Sequence, residues 1–306
     1  MFEKLCIFSD SLKAALSNHK PIVALESSVI AQGMPFPANL DTALELLKIV
    51  KENGVEPAVI GIIKGKIVVG LSEAEIEFLA KGEKLVKVSK QNLGWTVANK
   101  LSGGTTVSAS IFIARQVGID VFVTGGIGGV HRDFLETFDI SQDLDELSKT
   151  DIIVVSSGAK SIVDLRKTVE YLETKCVLIL GYCTNQFPAF YSRESGIDIF
   201  NSVETPKDIV QIFNHQKLLG IKSAILVANP IPEEFDIPYH QIETTIKKAI
   251  SEAKIKGIKG KELTPFLLNK ISEKTKGKSL SSNIELLKNN ASLGALIAKE
   301  VMIVKK

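Results

Sequence analysis

The sequence is poor in the features that mark secreted and membrane-spanning proteins. It has three cysteines (Cys6, Cys176 and Cys183) and no CxxC pair, which argues against a disulfide scaffold or a zinc site. No apolar stretch approaches the roughly 18 residues that a membrane-spanning helix needs. The first ten residues carry charges and do not resemble a secretory signal. We therefore expect a protein of the reducing cytoplasm.

The sequence also lacks an excess of charge of one sign. Lys and Arg number 37 and Asp and Glu 35, so the formal net charge is only +2. Because the two signs are interspersed, we expect no nucleic-acid partner and no anionic membrane partner. The apolar content is 45%, and 306 residues can bury a large core. In the absence of repeats and linkers we expect one domain, residues 1–306.

Short apolar runs alternate with longer segments of helical periodicity. The runs are rich in Val and Ile and predict buried strands at residues 21–25, 58–63, 119–123, 151–155, 176–180 and 222–227. The helical patterns cover residues 39–53, 105–117, 160–174, 206–219 and 241–256. Such alternation predicts an α/β fold, a three-layer α/β/α sandwich around a mainly parallel, mixed sheet.

Turn and cap residues refine this outline. Lys64-Gly65-Lys66 predicts a hairpin between residues 58–63 and 67–70. Thr264-Pro265 and Ser281-Ser282 each predict the start of a helix in the C-terminal third.

Small and polar residues follow several of the predicted strands. Ligands of open α/β sheets bind at the carboxyl ends of the strands, so a site is expected there. The segments concerned are Glu26-Ser27-Ser28, residues 124–129 (TGGIGG), residues 156–160 (SSGAK), Gly181-Tyr182 and Ala228-Asn229-Pro230.

Two of these segments carry groups suited to catalysis. Lys160 is predicted in the first turn of the helix over residues 160–174, where the helix dipole disfavours a cation. Both an exposed lysine and a nucleophilic amine fit that position. Glu26 ends a buried strand, where a carboxylate suits proton transfer, although a structural glutamate is the commoner case.

Other motifs offer an anion site or a metal site. Residues 124–132 (TGGIGGVHR) and 103–107 (GGTTV) are typical of loops that expose backbone amides to a phosphate, and His131 and Arg132 add cationic character. Neither segment is a dinucleotide fingerprint or a P-loop. Asp139, Asp143 and Asp145 supply oxygen ligands for Mg²⁺ or Mn²⁺. From spacing alone, Ser141 as a helix cap beside acidic residues explains this segment better.

Nine ordered motifs resemble the pseudouridine-5′-phosphate glycosidases, which include the proteins called indigoidine synthase A. They run from about residue 21 to residue 301 and begin at Ala24 (ALESS), Gln32 (QGMPFP), Gly104 (GTTV), Thr124 (TGGIGGVHR), Phe138 (FDISQDL), Ser157 (SGAKSI), Val227 (VANPIP), Gly260 (GKELTPFLL) and Ser279 (SLSSNI). The resemblance implies reversible cleavage of the C1′–C5 bond of pseudouridine 5′-phosphate to uracil and ribose 5-phosphate. It also implies a homotrimer and one divalent cation, usually Mn²⁺, per subunit.

The resemblance assigns roles residue by residue. Lys160 falls on the family's covalent lysine, which forms an iminium (Schiff-base) intermediate, and Glu26 on its proton-transfer glutamate. Asp139 falls on the metal-associated aspartate. The resemblance thus favours a metal site in this segment, where spacing alone favoured a helix cap. Substrate contacts are implied for Lys87, Thr106, Val107, Thr124, His131, Ser141, Gln142, Asp143 and Asn283.

The chain departs from the family pattern at two places. Lys90-Gln-Asn-Leu-Gly stands where the family has Arg-Asp-Leu-Pro, and Cys183 stands where the family has a glutamine. Neither position carries a catalytic group, so these departures bear on the rim of the site and not on the reaction class.

Two other classes of function stay open on the residues alone. One is a different enzyme on an α/β scaffold, either a Schiff-base aldolase or a sugar-phosphate kinase. The other is a non-catalytic nucleotide-binding or assembly protein, which would need neither Lys160 nor Glu26.

Overall fold

The apolar runs form the strands of one sheet, as predicted. The computed structural model describes residues 2–82, 84–258 and 263–304, and within them the sheet has eleven strands. They are β1 (Cys6–Phe8), β2 (Ile22–Leu25), β3 (Glu56–Ile63), β4 (Lys66–Val69), β5 (Val86–Val88), β6 (Gly103–Thr105), β7 (Val121–Val123), β8 (Ile153–Ser156), β9 (Leu178–Tyr182), β10 (Ser202–Val203) and β11 (Ile225–Ala228). Most strands begin later than predicted, because apolar residues such as Ile119 and Ile152 belong to the turns before them.

The sheet is mixed and mainly parallel. Its order is β1-β4-β3-β2-β7-β8-β11-β9-β10, with β6 paired to β3 and β5 paired to β6. β3 runs antiparallel to β4 and to β6, and the other pairs are parallel. The predicted hairpin is confirmed: Ile63 pairs with Lys66, and Gly65 at the turn has a φ of +76°.

The helical patterns form helices between the strands. The described residues contain α1 (Asp10–Ser17), α2 (Ala38–Glu52), α3 (Glu73–Lys81), α4 (Lys90–Ala98), α5 (Val107–Gln116), α6 (Phe134–Thr137), α7 (Gln142–Leu147), α8 (Leu165–Thr174), α9 (Pro206–Leu218), α10 (Tyr239–Ile255), α11 (Leu263–Lys274) and α12 (Lys278–Val304). A turn of π-helix covers Val29–Gly33. None of the helices in this part of the chain has the length and apolarity to cross a bilayer.

Helices cover both faces of the sheet, which confirms the three-layer α/β/α sandwich. α12 crosses β2, β7 and β8 and packs beside α2 and α9, whereas α5 packs on β2 and β3 and against α7. The close approach of α12 depends on Gly294, where a Cβ atom would lie 2.2 Å from Cγ2 of Val123. The buried strands are therefore shielded from water on both sides.

Two predicted helix boundaries are wrong. The helix expected over residues 160–174 begins only at Leu165, because Asp164 caps it by accepting a hydrogen bond from the amide of Lys167. Ser281-Ser282 does not open a helix but lies inside α12, whose first turn is capped by the hydroxyl of Thr275. Thr264-Pro265 does lie in the first turn of α11. Residues 260–262, which begin the GKELTPFLL motif, lie outside the described residues.

Candidate active site

Four neighbouring strands end at one edge of the sheet and bring the predicted site residues together. β2, β7, β8 and β11 are consecutive in the sheet order and parallel. Glu26 follows β2, Thr124 follows β7, and Ser157 follows β8. Gly181-Tyr182, at the end of β9, was also predicted here and is misplaced. β11 separates β9 from β8, and neither residue borders the cavities described below.

An inner cavity opens at these strand ends. Its wall combines polar groups from the strand ends with apolar side chains: Glu26, Ser28, Val29, Gln32, Gly33, Lys87, Thr124, Gly125, Gly126, Lys160, Phe190, Leu268 and Asn283. The two candidate catalytic residues, Glu26 and Lys160, therefore border one space. Sequence reasoning had placed both at the strand ends but had no means of showing that they face each other.

The Glu26 carboxylate is held by two hydroxyl groups. Its side chain is buried, with 4% of the residue exposed. One oxygen accepts a hydrogen bond from the Ser28 hydroxyl and the other from the Thr124 hydroxyl. These bonds fix the carboxylate at the wall of the inner cavity, where it can pass a proton to or from a ligand.

Lys160 lies in a loop and not in a helix, which corrects the sequence interpretation. The loop turns at Gly158, whose φ is +74° and whose Cβ atom, if present, would lie 2.1 Å from the Pro188 carbonyl oxygen. The Lys160 amide donates to the Ile127 carbonyl at 2.9 Å. The dipole of α8 therefore does not act on this lysine as predicted, and its half-buried side chain reaches the cavity from the loop.

Arg132 clamps the loop that carries Lys160. Its guanidinium group pairs with Glu243 at 2.6 and 2.8 Å and donates to the carbonyl oxygens of Ser161 and Ile162. Burial alone would raise the pKa of Glu243, but the hydrogen bonds and charge of Arg132 outweigh burial and lower it below its ordinary value. The interpretation of Arg132 as a cation for phosphate is wrong, because this ion pair and the two carbonyls engage its guanidinium.

A buried amide joins the strand ends to α12. Asn290 has no exposed surface, and its Nδ2 donates to the carbonyl oxygen of Thr124 at 2.9 Å. Its Oδ1 accepts a hydrogen bond from Asn229, which follows β11. No sequence pattern pointed to Asn290, since it stands within a long helical pattern far from any strand end.

An outer cavity adjoins the inner one. It is lined by Lys87, Ser89, Gln91, Thr106, Ser108, Gly128, His131, Asp139, Ile140, Ser141, Gln142, Asp143, Lys160, Ile162 and Val163. Lys87 and Lys160 border both cavities. Of the predicted substrate residues, Val107 alone borders neither; it is fully buried and begins α5 between Thr106 and Ser108.

Much of the polar wall of the outer cavity is already hydrogen-bonded. Asp143 is buried, and its two oxygens accept from the amides of Ser108 and Gly128, both at 2.9 Å. Ser141 caps α7, as the spacing predicted, and the side-chain oxygen of Gln142 accepts from the Gln91 amide at 3.1 Å. These bonds hold the start of α5, the glycine loop and α7 around the cavity.

The two glycine-rich segments do not present free rows of amides, contrary to expectation. In the segment 124–132, five backbone amides already donate to carbonyl, hydroxyl or carboxylate oxygens elsewhere in the protein. They are the amides of Thr124, Ile127, Gly128, Val130 and His131. Gly103 and Gly104 form β6, where a Cβ atom on Gly104 would lie 2.7 Å from the Ser27 carbonyl oxygen. Close packing therefore explains these glycines.

Asp139 can hold a hard cation only with help from water or substrate. Its side chain is 47% exposed, and Nδ1 of His131 lies 3.8 Å from Oδ2 of Asp139. No group of three or more His, Cys, Asp or Glu side chains suited to a metal occurs in the described residues. One carboxylate facing a polar cavity fits Mg²⁺ or Mn²⁺, which keep several waters. It does not fit the closed ligand set of a structural zinc site.

The two departures from the family pattern lie outside the inner cavity. Lys90 forms an ion pair with the buried Glu146 at 2.6 Å and lies over the ring of Phe112. Gln91 borders the outer cavity, so this departure does reach the rim. Cys183 is exposed and borders neither cavity.

Sequence reasoning missed several residues of the inner cavity. Gln32, Phe190 and Leu268 border it and were not singled out for the site, although Gln32 and Leu268 lie within quoted motifs. Those two motifs were the available signal, whereas Ser28 had been predicted at the strand end together with Glu26. Phe190 is on a loop with a φ of +64°, and nothing in its neighbourhood in the sequence indicates a cavity wall.

Comparisons with known proteins agree with this architecture. A family model described as "Indigoidine synthase A like protein" matches residues 11–300. The chain is 53% identical to the pseudouridine-5′-phosphate glycosidase of Petrotoga mobilis over 94% of each protein. It is 50% identical to that of Staphylococcus aureus over 98% of this chain and 97% of the relative.

Two solved structures share the fold over nearly the whole length. An indigoidine synthase A-like protein from Thermotoga maritima superposes with a TM-score of 0.87 at 40% identity, over 92% of this chain and 94% of that one. The prealnumycin C-glycosynthase AlnA, solved with ribulose 5-phosphate, gives a TM-score of 0.91 at 34% identity, over 99% and 98%. The resemblance inferred from the motifs is confirmed, and the chain belongs to the indigoidine synthase A-like family.

Proposed function

We propose that this chain is a pseudouridine-5′-phosphate glycosidase, which reversibly cleaves the C1′–C5 bond of its substrate to uracil and ribose 5-phosphate. The observation that carries the proposal is the placement of Lys160 and Glu26 on one cavity at the ends of β2 and β8. The names of the relatives at about 50% identity point to the same reaction.

The bond to be broken explains why the site needs an amine. Retaining glycosidases use two carboxylates and expel an oxygen leaving group that can be protonated on a lone pair. In pseudouridine 5′-phosphate the leaving atom is C5 of uracil, a carbon without a lone pair. A lysine amine bonded to C1′ can supply its lone pair to form a cationic iminium as the electrons of the C1′–C5 bond pass to uracil, which a carboxylate does far less readily.

The reaction then needs four steps. First, the C1′–O4′ bond breaks and its electron pair goes to O4′, which gains a proton, while N1 of uracil loses its proton and its electrons form a double bond between C5 and C1′. The Lys160 amine then adds at C1′, the electrons of that double bond return to uracil, and the proton that the amine loses returns to N1. The C1′–C5 bond breaks as C5 takes a proton from Glu26, which releases uracil and leaves an iminium between C1′ and Nζ of Lys160. Water adds to the iminium, and Lys160 leaves to give ribose 5-phosphate. Uracil thus occupies the inner cavity, near Glu26, and the sugar carbon lies beside Lys160.

The outer cavity suits the ribose phosphate. Its volume is about 270 Å³, against about 40 Å³ for the narrow inner cavity, so the sugar phosphate belongs in the wider space and a flat ring in the narrower one. Lys87 brings an ammonium group to this space, His131 brings an imidazole ring, and Thr106 and Ser141 bring hydroxyls. Such groups form charge-assisted hydrogen bonds to a phosphate.

We further propose that Asp139 holds one Mn²⁺ ion, with water and substrate oxygens completing its coordination. A hard divalent cation at this place would offset negative charge on the substrate. The supporting observation is the exposed Asp139 carboxylate on the outer cavity, close to His131. The resemblance also leads us to propose a homotrimer, which sedimentation of the purified protein would test, and the low cysteine content leads us to propose a cytoplasmic location.

Release of uracil from pseudouridine 5′-phosphate, followed with and without Mn²⁺, tests the proposed reaction. We expect uracil and ribose 5-phosphate in equal amounts. If no uracil is released under either condition, the proposal is wrong. Cleavage of a sugar phosphate without uracil release would indicate an aldolase, ATP consumption would indicate a kinase, and binding without turnover would indicate a nucleotide-binding protein.

A further inference from the structure

Two buried amide oxygens without partners border the inner cavity. Among the described residues, Oε1 of Gln32 and Oδ1 of Asn283 are buried and have no hydrogen-bond partner. Both residues line the inner cavity beside Glu26 and Lys160. A buried acceptor without a donor is unfavourable, and such atoms are rare in folded proteins. Two of them at one cavity indicate a ligand that donates two hydrogen bonds.

The two amides reach the cavity from independent parts of the fold. Gln32 lies in the π-helical turn Val29–Gly33, which follows β2 and Glu26. Asn283 lies near the start of α12 and is 5% exposed. Because the π-helical turn and α12 are separate elements, the two amides can bind two N–H groups at different positions on the ring of the ligand.

The rest of the inner cavity is suited to a flat ring. Val29, Phe190 and Leu268 give it apolar walls. The ring of Phe190 packs so closely on Gly126 that a Cβ atom there would lie 2.7 Å from Cδ2 of Phe190. An apolar slot with a few polar groups is the usual form of a site for a planar ligand.

A uracil base that is joined to a sugar keeps both of its N–H donors only when the bond is made through carbon. In pseudouridine the bond is at C5, so N1–H and N3–H are both free. In uridine the sugar occupies N1, and only N3–H remains. Two unpartnered acceptor oxygens therefore match the two N–H donors of the C-linked base. The N-linked base has one N–H donor and can bind only one of these oxygens.

We infer that Gln32 is a specificity-determining residue that accepts one of the two uracil N–H groups, while Asn283 accepts the other. The inference rests on the proposed function and adds to it the means by which the site selects a C-linked base. An N-linked nucleotide leaves one of these acceptors buried without a donor, and sites of this kind reject such analogues strongly.

Methylated substrates test the inference. First, wild-type protein is assayed for uracil release from pseudouridine 5′-phosphate, because failure here contradicts the proposed function itself. Then kcat/KM is measured for the 1-methyl and 3-methyl derivatives, each of which lacks one donor. In the wild-type protein we expect each methyl group to lower kcat/KM by a factor on the order of 10 or more, the usual loss for one unpaired buried acceptor.

The Gln32→Ala variant separates the two donors. Its kcat/KM for pseudouridine 5′-phosphate should be about tenfold or more below that of the wild type. In the variant, one of the two methyl derivatives should react as well as the unmethylated substrate, because the acceptor for the missing N–H is itself absent. The other derivative should keep its penalty. Gln32→Glu, which retains an acceptor oxygen, should restore discrimination between the parent and that same derivative. Gln211→Ala, an exposed glutamine on α9, is the control and should behave as wild type.

Two results would overturn the inference. One is an equal loss of Gln32→Ala on all three substrates, which means that Gln32 supports the site without contacting an N–H group. The other is no loss on any substrate. Circular dichroism shows whether the variant folds. If it does not fold, kcat/KM is measured for Gln32→Met, which keeps the length of the side chain without the acceptor oxygen. The same two results would then overturn the inference.

Discussion

The inner and outer cavities differ in what their polar groups already do. In the outer cavity, Asp143 binds two amides, Ser141 caps a helix and Gln142 accepts from Gln91. In the inner cavity, Gln32 and Asn283 present buried acceptors without partners. These polar groups of the outer cavity are thus engaged in bonds within the protein, whereas Gln32 and Asn283 of the inner cavity leave acceptor oxygens for a ligand. Lys87 and Lys160 stand where the two meet.

Removal of the amine at this junction should have the largest effect. Lys160→Ala should reduce uracil release to background, because the variant lacks the amine to which we assign the iminium. Borohydride with ribose 5-phosphate should add mass to the wild-type peptide containing Lys160 and none in the variant. Lys167→Ala, on the exposed side of α8, is the matched control. An adduct on Lys87 would show that the covalent residue has been misassigned.

The next largest effect is expected inside the inner cavity. Glu26→Gln removes the proton-transfer group, while its amide can still bond with the Ser28 and Thr124 hydroxyls. General acid–base groups contribute about 10²–10⁴ in rate, so kcat should fall by that factor with little change in KM. Glu52→Gln at the exposed end of α2 should leave both constants unchanged. A rise in KM with unchanged kcat would assign Glu26 to binding.

Loss of Lys87 should act mainly through the phosphate. Charge-assisted hydrogen bonds contribute about 1.5–3 kcal/mol each, so two or three phosphate contacts favour the 5′-phosphate over pseudouridine by a factor on the order of 10³ or more. Lys87→Ala should remove much of this preference, with a lower kcat as well as a higher KM, because remote binding energy orients the reacting centre.

The measurement is kcat/KM for both substrates in both proteins. Unphosphorylated pseudouridine should be affected far less than its 5′-phosphate. Equal losses on the two substrates would place Lys87 in the chemistry or the fold and the phosphate site elsewhere.

A smaller effect is expected for the proposed metal ligand of the outer cavity. Asp139→Asn should raise the Mn²⁺ concentration needed for half-maximal activity by a factor on the order of 10–100, since weakened coordination usually costs that much affinity. Excess chelator should silence the native protein, and added Mn²⁺ should restore it. Full activity of the native protein in excess chelator would rule out the metal.

The smallest effect is expected for the ion pair between Arg132 and Glu243, which holds the loop that carries Lys160. Since the pKa of Glu243 is held below its ordinary value, its ion pair stabilises the fold at pH values above about 4.3 and is lost as the pH falls through the lowered pKa. Glu243→Gln should therefore reduce the free energy of unfolding by about 1 kcal/mol at neutral pH and by less in acid. Urea unfolding at both pH values measures this, and an equal loss at both would contradict the ion-pair explanation.

The chemistry of the site was more predictable than its shape. Glu26 and Lys160 were singled out because polar residues that come soon after buried strands lie at the sheet edge where ligands bind, whatever the strand order, and their catalytic roles were implied by the resemblance. The prediction for Gly181-Tyr182 used the same rule and was wrong, since the rule does not say which strands are neighbours. Lys160 was placed in a helix because residues 160–164 continue the helical pattern, whereas the Asp164 cap starts the helix later.

The sequence by itself determined the α/β alternation, the strand-end position of Glu26 and the family, since each depends on local patterns or on motifs in order. The tertiary structure alone decided that β2, β7, β8 and β11 lie side by side and that Arg132 reaches Glu243. It also brought Asn283 and Asn290 of α12 to the strand ends. Such contacts join residues far apart in the chain and depend on how the strands and helices pack together, which no local pattern encodes.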